Sequence, residues 1–83
     1  MIIYKAICVV TNKCYIGQTV KSLEKRKNEH LNGAAAGLDY HFYRALRAHG
    51  FENFEWTILA IPSSFGMMNT LEELYIEKFD SFV

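Results

Sequence analysis

The stretch IIYKAICVVTNKCYIGQT, Ile2 to Thr19, decides the fold. Ile2 to Val10 is β-branched and aromatic, which reads as a strand. Thr11-Asn12-Lys13 reads as a turn, because asparagine tolerates the left-handed backbone. Cys14 to Thr19 is then the return strand of a hairpin. A two-residue loop at Thr11 and Asn12 sets Val10 opposite Lys13, Cys8 opposite Tyr15 and Ile7 opposite Ile16. Paired residues share a face, and successive residues alternate between faces. Tyr4, Ala6, Cys8, Tyr15 and Gly17 therefore fall together. Ile3, Ile7, Val9, Cys14 and Ile16 form the opposite face, which is ready to be a core. The first face sets two tyrosines around small residues and leaves room for something to approach. The division depends on register, since a slip of one residue would reverse it.

Outward from the hairpin, SLEKRKNEHL, Ser22 to Leu31, is polar with few β-branched residues and reads as a helix capped by Ser22. NGAAAGL, Asn32 to Leu38, reads as a mobile loop. Asp39 is expected to cap a helix over YHFYRALRAH, with Gly50 just past its end. NFEWTILAI, Asn53 to Ile61, reads as a third strand, and Pro62 to Gly66 as a loop. Thr70 and Glu73 match a capping box, so a last helix is expected from Leu71 to Phe79. Phe42, Leu46, Phe54 and Trp56 read as core. The order strand, strand, helix, helix, strand, helix makes an α+β domain on a small antiparallel sheet.

The chain has 83 residues, room for one domain. Hydrophobic residues make up 51%, so a compact core is feasible. Nine basic and nine acidic residues leave no net charge, which argues against tight electrostatic binding of nucleic acid by this domain alone. No apolar run approaches the roughly 20 residues of a membrane span, and no signal peptide is visible. A cytoplasmic setting, in a bacterial or phage context, is the expectation. Cys8 and Cys14 read as small buried hydrophobes rather than as a disulfide or zinc ligands.

Several polar residues stand out, each with a plainer reading beside the chemical one. Tyr4 and Tyr15 could simply pack at the sheet margin. Arg26 and His30, one helical turn apart, share a face. Arginine offers a fork of donors that suits phosphate, and histidine can exchange a proton near neutral pH, but the same pair could lie on a solvated helix face. Glu73 is accounted for by the capping box. Glu72 is not, and complementing the helix dipole is its plainer role. His41 reads by itself as a surface residue, and His49 as a charge at a helix C-terminus.

Taken in order, these residues resemble the GIY-YIG nuclease family. IIY at Ile2–Tyr4 and YIG at Tyr15–Gly17 are similar to the signature. RALRAHGFENFEW, Arg44 to Trp56, is similar to the family's helix–turn–strand segment, and the likeness spans nearly the whole chain. The pattern is closest to phage and intron homing endonucleases. The resemblance implies a three-stranded antiparallel sheet flanked by three helices, and metal-dependent hydrolysis of DNA. It gives Tyr4, Tyr15, Arg26, His30 and Glu72 the catalytic positions, with Glu72 holding Mg²⁺ or Mn²⁺. Gly17, Tyr15, Arg26 and His41 would contact substrate, Gly17 by permitting close backbone approach. Ile2 replaces the first glycine of the signature. Many relatives carry an asparagine beyond the last helix, and the chain reaches Val83 without it, so a shortened catalytic domain from a longer parent with its own DNA-binding region is expected.

In the mechanism this implies, Arg26 stabilises phosphoryl charge, Tyr4 contacts the attacking water and His30 relays its proton. Tyr15 orients the water or bonds the phosphate. An unperturbed histidine would place the acid limb of activity at a pH of about 6.5. The competing classes are a non-catalytic DNA-binding or interaction module on the same fold, and a purely structural domain.

Overall fold

The computed structural model describes residues 1–79. Strand β1, Ile2–Cys8, runs down the middle of an antiparallel sheet of order β2-β1-β3, with β2 at Cys14–Thr19 and β3 at Phe54–Ala60. Helices α1, Leu23–Ala35, and α2, His41–His49, pack on one face. Helix α3, Phe65–Phe79, packs on the other. The expected α+β fold is the observed one.

The hairpin register differs from the expected one by two residues. Tyr4 lies opposite Gly17, Ala6 opposite Tyr15 and Ile7 opposite Cys14. The loop is longer than two residues. The Cys8 N–H bonds to the Lys13 carbonyl and the Asn12 N–H to the Cys8 carbonyl, with Asn12 in the left-handed region at φ 63°. An even shift leaves every side chain on its expected face. Ala6 and Cys8 enter a core with Ala34, Phe42, Ala45, Leu46 and Phe54. Ile3, Cys14 and Ile16 enter a second core with Met68 of α3. Cys8 and Cys14 are buried thiols in different cores, so no disulfide joins them.

The tyrosine face is not open. Helices α1 and α2 cover it, and Tyr4 has no exposed surface. Helix α1 begins as expected, with the Ser22 hydroxyl accepting from the Lys25 N–H, but it runs through Asn32–Ala35, which the sequence suggested as a loop. Alanine is the best helix former, and burial of Ala34 adds to that preference. Helix α2 starts without a side-chain cap; Asp39 pairs with Arg44 instead. Helix α3 begins a full turn and more before the expected start. The Ser64 hydroxyl accepts from the Met67 N–H, and the Thr70 hydroxyl donates back to the Gly66 carbonyl. Thr70 is therefore not a cap. Glu73 sits mid-helix on the exposed side, so the capping reason for setting it aside falls away.

Candidate active site

Tyr4 projects from the middle strand beneath α1. Its ring passes over Gly17 on the neighbouring strand. A Cβ at Gly17 would sit 2.5 Å from Tyr4 Cζ and 2.7 Å from Tyr15 Cε2. The room that glycine makes is thus taken by the site's own tyrosines, not by an approaching ligand as its sequence role suggested. Tyr15 stacks flat on Phe42, with ring centroids 4.3 Å apart and planes 9° from parallel. Trp56, expected only as core, stacks against both Tyr4 and His30.

His30 sits at the centre of this arrangement, 2% exposed. Its Nε2 lies 2.7 Å from the Tyr4 hydroxyl and its Nδ1 lies 2.9 Å from the Tyr43 hydroxyl. Burial, then the nearby Arg26 charge, lower its pKa to about 4. The imidazole is therefore neutral across the physiological range, and the acid limb expected at about 6.5 is displaced downward. Burial, reinforced by Tyr15, pushes the Tyr4 phenol far above its usual value. Tyr15 is also raised by burial, but Arg26 and the Tyr4 hydroxyl both favour its ionised form.

Arg26 is partly buried and pairs with Glu29, Nη1 to Oε1 3.1 Å, while Lys21 pairs with the other Glu29 oxygen. Burial works against the Arg26 charge, but hydrogen bonding to Tyr4 and Glu29 outweighs it. Tyr15, Arg26, His30, Tyr40, His41, Phe42 and Tyr43 line a cleft of about 300 Å³ between α1, α2 and β2. His41, a candidate substrate contact, lies exposed on its wall. Tyr4 does not line it.

Glu72 projects from α3 on the other face of the sheet. It is half-buried, burial raises its pKa, and its charge is felt at Tyr15. Gln18, whose Nε2 donates to Asn69 Oδ1 at 3.1 Å, lies beside it. Glu72 Oε2 and Gln18 Oε1 are both buried with no hydrogen-bond partner among the described residues; Trp56 Nε1 is another such atom. An unpartnered buried acceptor is costly, and two together suit a cation. Among the described residues no cluster of three or more metal-ligating side chains exists. A lone carboxylate fits Mg²⁺, which keeps most of its waters and shares substrate phosphates with one or two carboxylates.

Sequence reasoning missed Tyr43, which completes the histidine's hydrogen bonds. The available signal was Gly33, three residues after His30 on the same helix face. A glycine there makes a notch, and Tyr43 fills it: a Cβ at Gly33 would meet Tyr43 Cε2 at 2.6 Å.

Two buried phenols, an imidazole, a guanidinium and a lone carboxylate around a three-stranded sheet define a nuclease domain of one particular architecture. The chain belongs to the GIY-YIG family: the family's catalytic-domain model matches residues 1–82. It is similar in structure to the catalytic domain of the homing endonuclease I-TevI, with a TM-score of 0.81 and 27% identity over 94% of this chain and 86% of that one. A point mutant of the I-TevI catalytic domain superposes with the same TM-score and identity, over 94% of this chain and 81% of that one. No curated protein matches the chain significantly.

Proposed function

We propose that this domain is a divalent-metal-dependent endonuclease that hydrolyses DNA phosphodiester bonds. The observation that carries the reading is the convergence on one cleft of Arg26, a charge partner for phosphate, with Tyr15 and a neutral, fully hydrogen-bonded His30. Glu72 and Gln18 would hold the cation, which when bound supplies charge neutralisation at the phosphate and the leaving oxygen.

Arg26 holds the phosphoryl oxygens and stabilises their growing charge. Water attacks phosphorus, the bond to the leaving oxygen breaks, and the water's proton must go to a base. Neither phenol is ionised at neutral pH, so a phenol can only pass a proton on. Tyr15 faces the cleft and Tyr4 lies behind it, which exchanges their roles relative to the sequence expectation. Tyr15 meets the water, Tyr4 links Tyr15 to His30, and Nε2 receives the proton. An imidazole of low basicity is a weak acceptor in the free protein. An arriving phosphate anion raises its proton affinity, since an opposite charge nearby favours the charged form.

With no net charge the domain releases few counterions on binding, so its own hold on DNA is weak and little dependent on sequence. A further DNA-binding region in a longer parent chain would supply specificity. The test is supercoiled plasmid with Mg²⁺ or Mn²⁺, with and without chelator, for the wild-type chain and Glu72→Gln. Nicked or linear product only with metal and only from the wild type is expected. Retention of plasmid on the protein without cleavage would instead mark a binding module on the same fold.

A further inference from the structure

We propose that Tyr43 is a positioning residue that fixes the proton of His30 on Nδ1 and so leaves Nε2 free to accept. This rests on the relay role given to His30 above, but its test does not.

A neutral imidazole has one N–H and one lone pair, and the partner on one side decides what the other side can do. Two arrangements satisfy the distances. Either Tyr4 donates to Nε2 and Nδ1–H donates to Tyr43, or Nε2–H donates to Tyr4 and Tyr43 donates to Nδ1. The surroundings of Tyr4 choose between them. Its hydroxyl is wholly buried and shares hydrogen bonds with Arg26 and Tyr15. A guanidinium only donates, so Arg26 takes an acceptor site on the Tyr4 oxygen. The Tyr4 proton then needs an acceptor of its own, and Nε2 at 2.7 Å is placed for it. Nδ1 must therefore carry the hydrogen, and the Tyr43 oxygen at 2.9 Å accepts it. Tyr43 is only partly buried and lines the cleft, so its own proton can go to water.

The ring that presents this oxygen is held in place. It fills the notch at Gly33 and meets Tyr40 edge to face, centroids 5.3 Å apart at 89°. Glycine inside a helix costs about 0.5–1 kcal/mol relative to alanine. At Gly33 that cost goes with the seating of Tyr43 over α1.

The experiment is nitrogen-15 NMR of the His30 ring at neutral pH in the full chain, wild type against Tyr43→Phe, with single-turnover cleavage measured in parallel. The phenylalanine keeps the ring in the notch and removes only the oxygen. The Nδ1–H tautomer is expected in the wild type, with a shift toward Nε2–H in Tyr43→Phe. Cleavage is expected to fall about 10-fold to 100-fold, the range for losing a group that orients a ligand, with KM unchanged. Gly33→Ala, which displaces the Tyr43 ring while keeping its hydroxyl, should move the tautomer in the same direction. An Nε2–H tautomer in the wild type, or a tautomer insensitive to Tyr43→Phe, overturns the proposal whatever the activity. A tautomer that shifts as expected with cleavage unchanged upholds the positioning of His30 and removes the proton relay.

Discussion

His30 and Glu72 lie on opposite faces of one small sheet and are finished to different degrees. His30 is almost fully buried and both its nitrogens meet a tyrosine hydroxyl. Glu72 is half-buried, yet one of its oxygens meets no donor among the described residues. The protein thus sets the orientation and protonation of the imidazole by itself. The carboxylate is left for something outside the chain to complete. An unmet buried acceptor costs free energy in the resting fold, so its persistence marks where a ligand belongs.

The sharpest way to break this contrast is Glu72→Gln. Removing the anchor for a charge-neutralising cation is worth several kcal/mol, on the order of a 1,000-fold loss in cleavage rate or more. The fold should not suffer. The raised folded-state pKa of Glu72 means that its ionisation opposes folding, a penalty absent below the unfolded pKa and fully present above the folded one. Glutamine removes it, so thermal melting without metal at neutral pH should be no lower than wild type. Mg²⁺ should raise the melting point of the wild type but not of the variant. A large drop in melting temperature would show Glu72 to be structural.

Arg26→Ala should come next, with a rate loss of about 100-fold to 1,000-fold at every pH tested, the cost of losing a transition-state charge partner. A loss confined to low pH in single-turnover assays would mean that Arg26 acts only by tuning His30.

The finished state of His30 is sharpened by pH. Its pKa is lowered in the fold to about 4, against about 6.5 unfolded. Unfolding therefore takes up a proton between those values. The stability due to neutral burial is complete above about 6.5 and is lost as pH falls toward about 4, on the order of 3 kcal/mol in all. Denaturant melts from pH 4.5 to 7.5 should show that slope, and His30→Gln should flatten it. A wild-type slope equal to that of the variant would mean that the ring is not held neutral.

Gly17→Ala tests the packing that brings Tyr4 over to His30. A Cβ 2.5 Å from the Tyr4 ring must displace it, at a typical overpacking cost of about 1–3 kcal/mol measured by denaturant melts. The smallest effect belongs to Glu73→Gln. With the residue exposed in mid-helix rather than in a capping box, stability should change by within about 0.5 kcal/mol and cleavage hardly at all. Equal loss of activity at Glu72 and Glu73 would erase the comparison.

Much was legible without coordinates because it depends on local pattern. Alternation along Ile2–Cys8 and Cys14–Thr19 assigned residues to faces, and survived a register error because that error was even. The glycine past His49 ended α2 as its backbone freedom suggests, at φ 90°. Arg26 and His30 share a helix face because helical spacing makes them neighbours. The ordered motif then carried the family, which no single residue could.

Tertiary structure alone decided the rest, since burial and partnership are made by residues distant in sequence. Helix α1 runs through its glycine and α3 starts at Phe65 because packing and a serine cap outweigh short-range signals. Tyr43 meets His30 from another helix, across a notch whose purpose shows only when both helices are in place. The protonation of the imidazole, the inner position of Tyr4 and the unmet oxygens of Glu72 and Gln18 all follow from desolvation and distance. A sequence names the groups that can titrate or coordinate. Only the folded chain sets the dielectric around them and the company they keep.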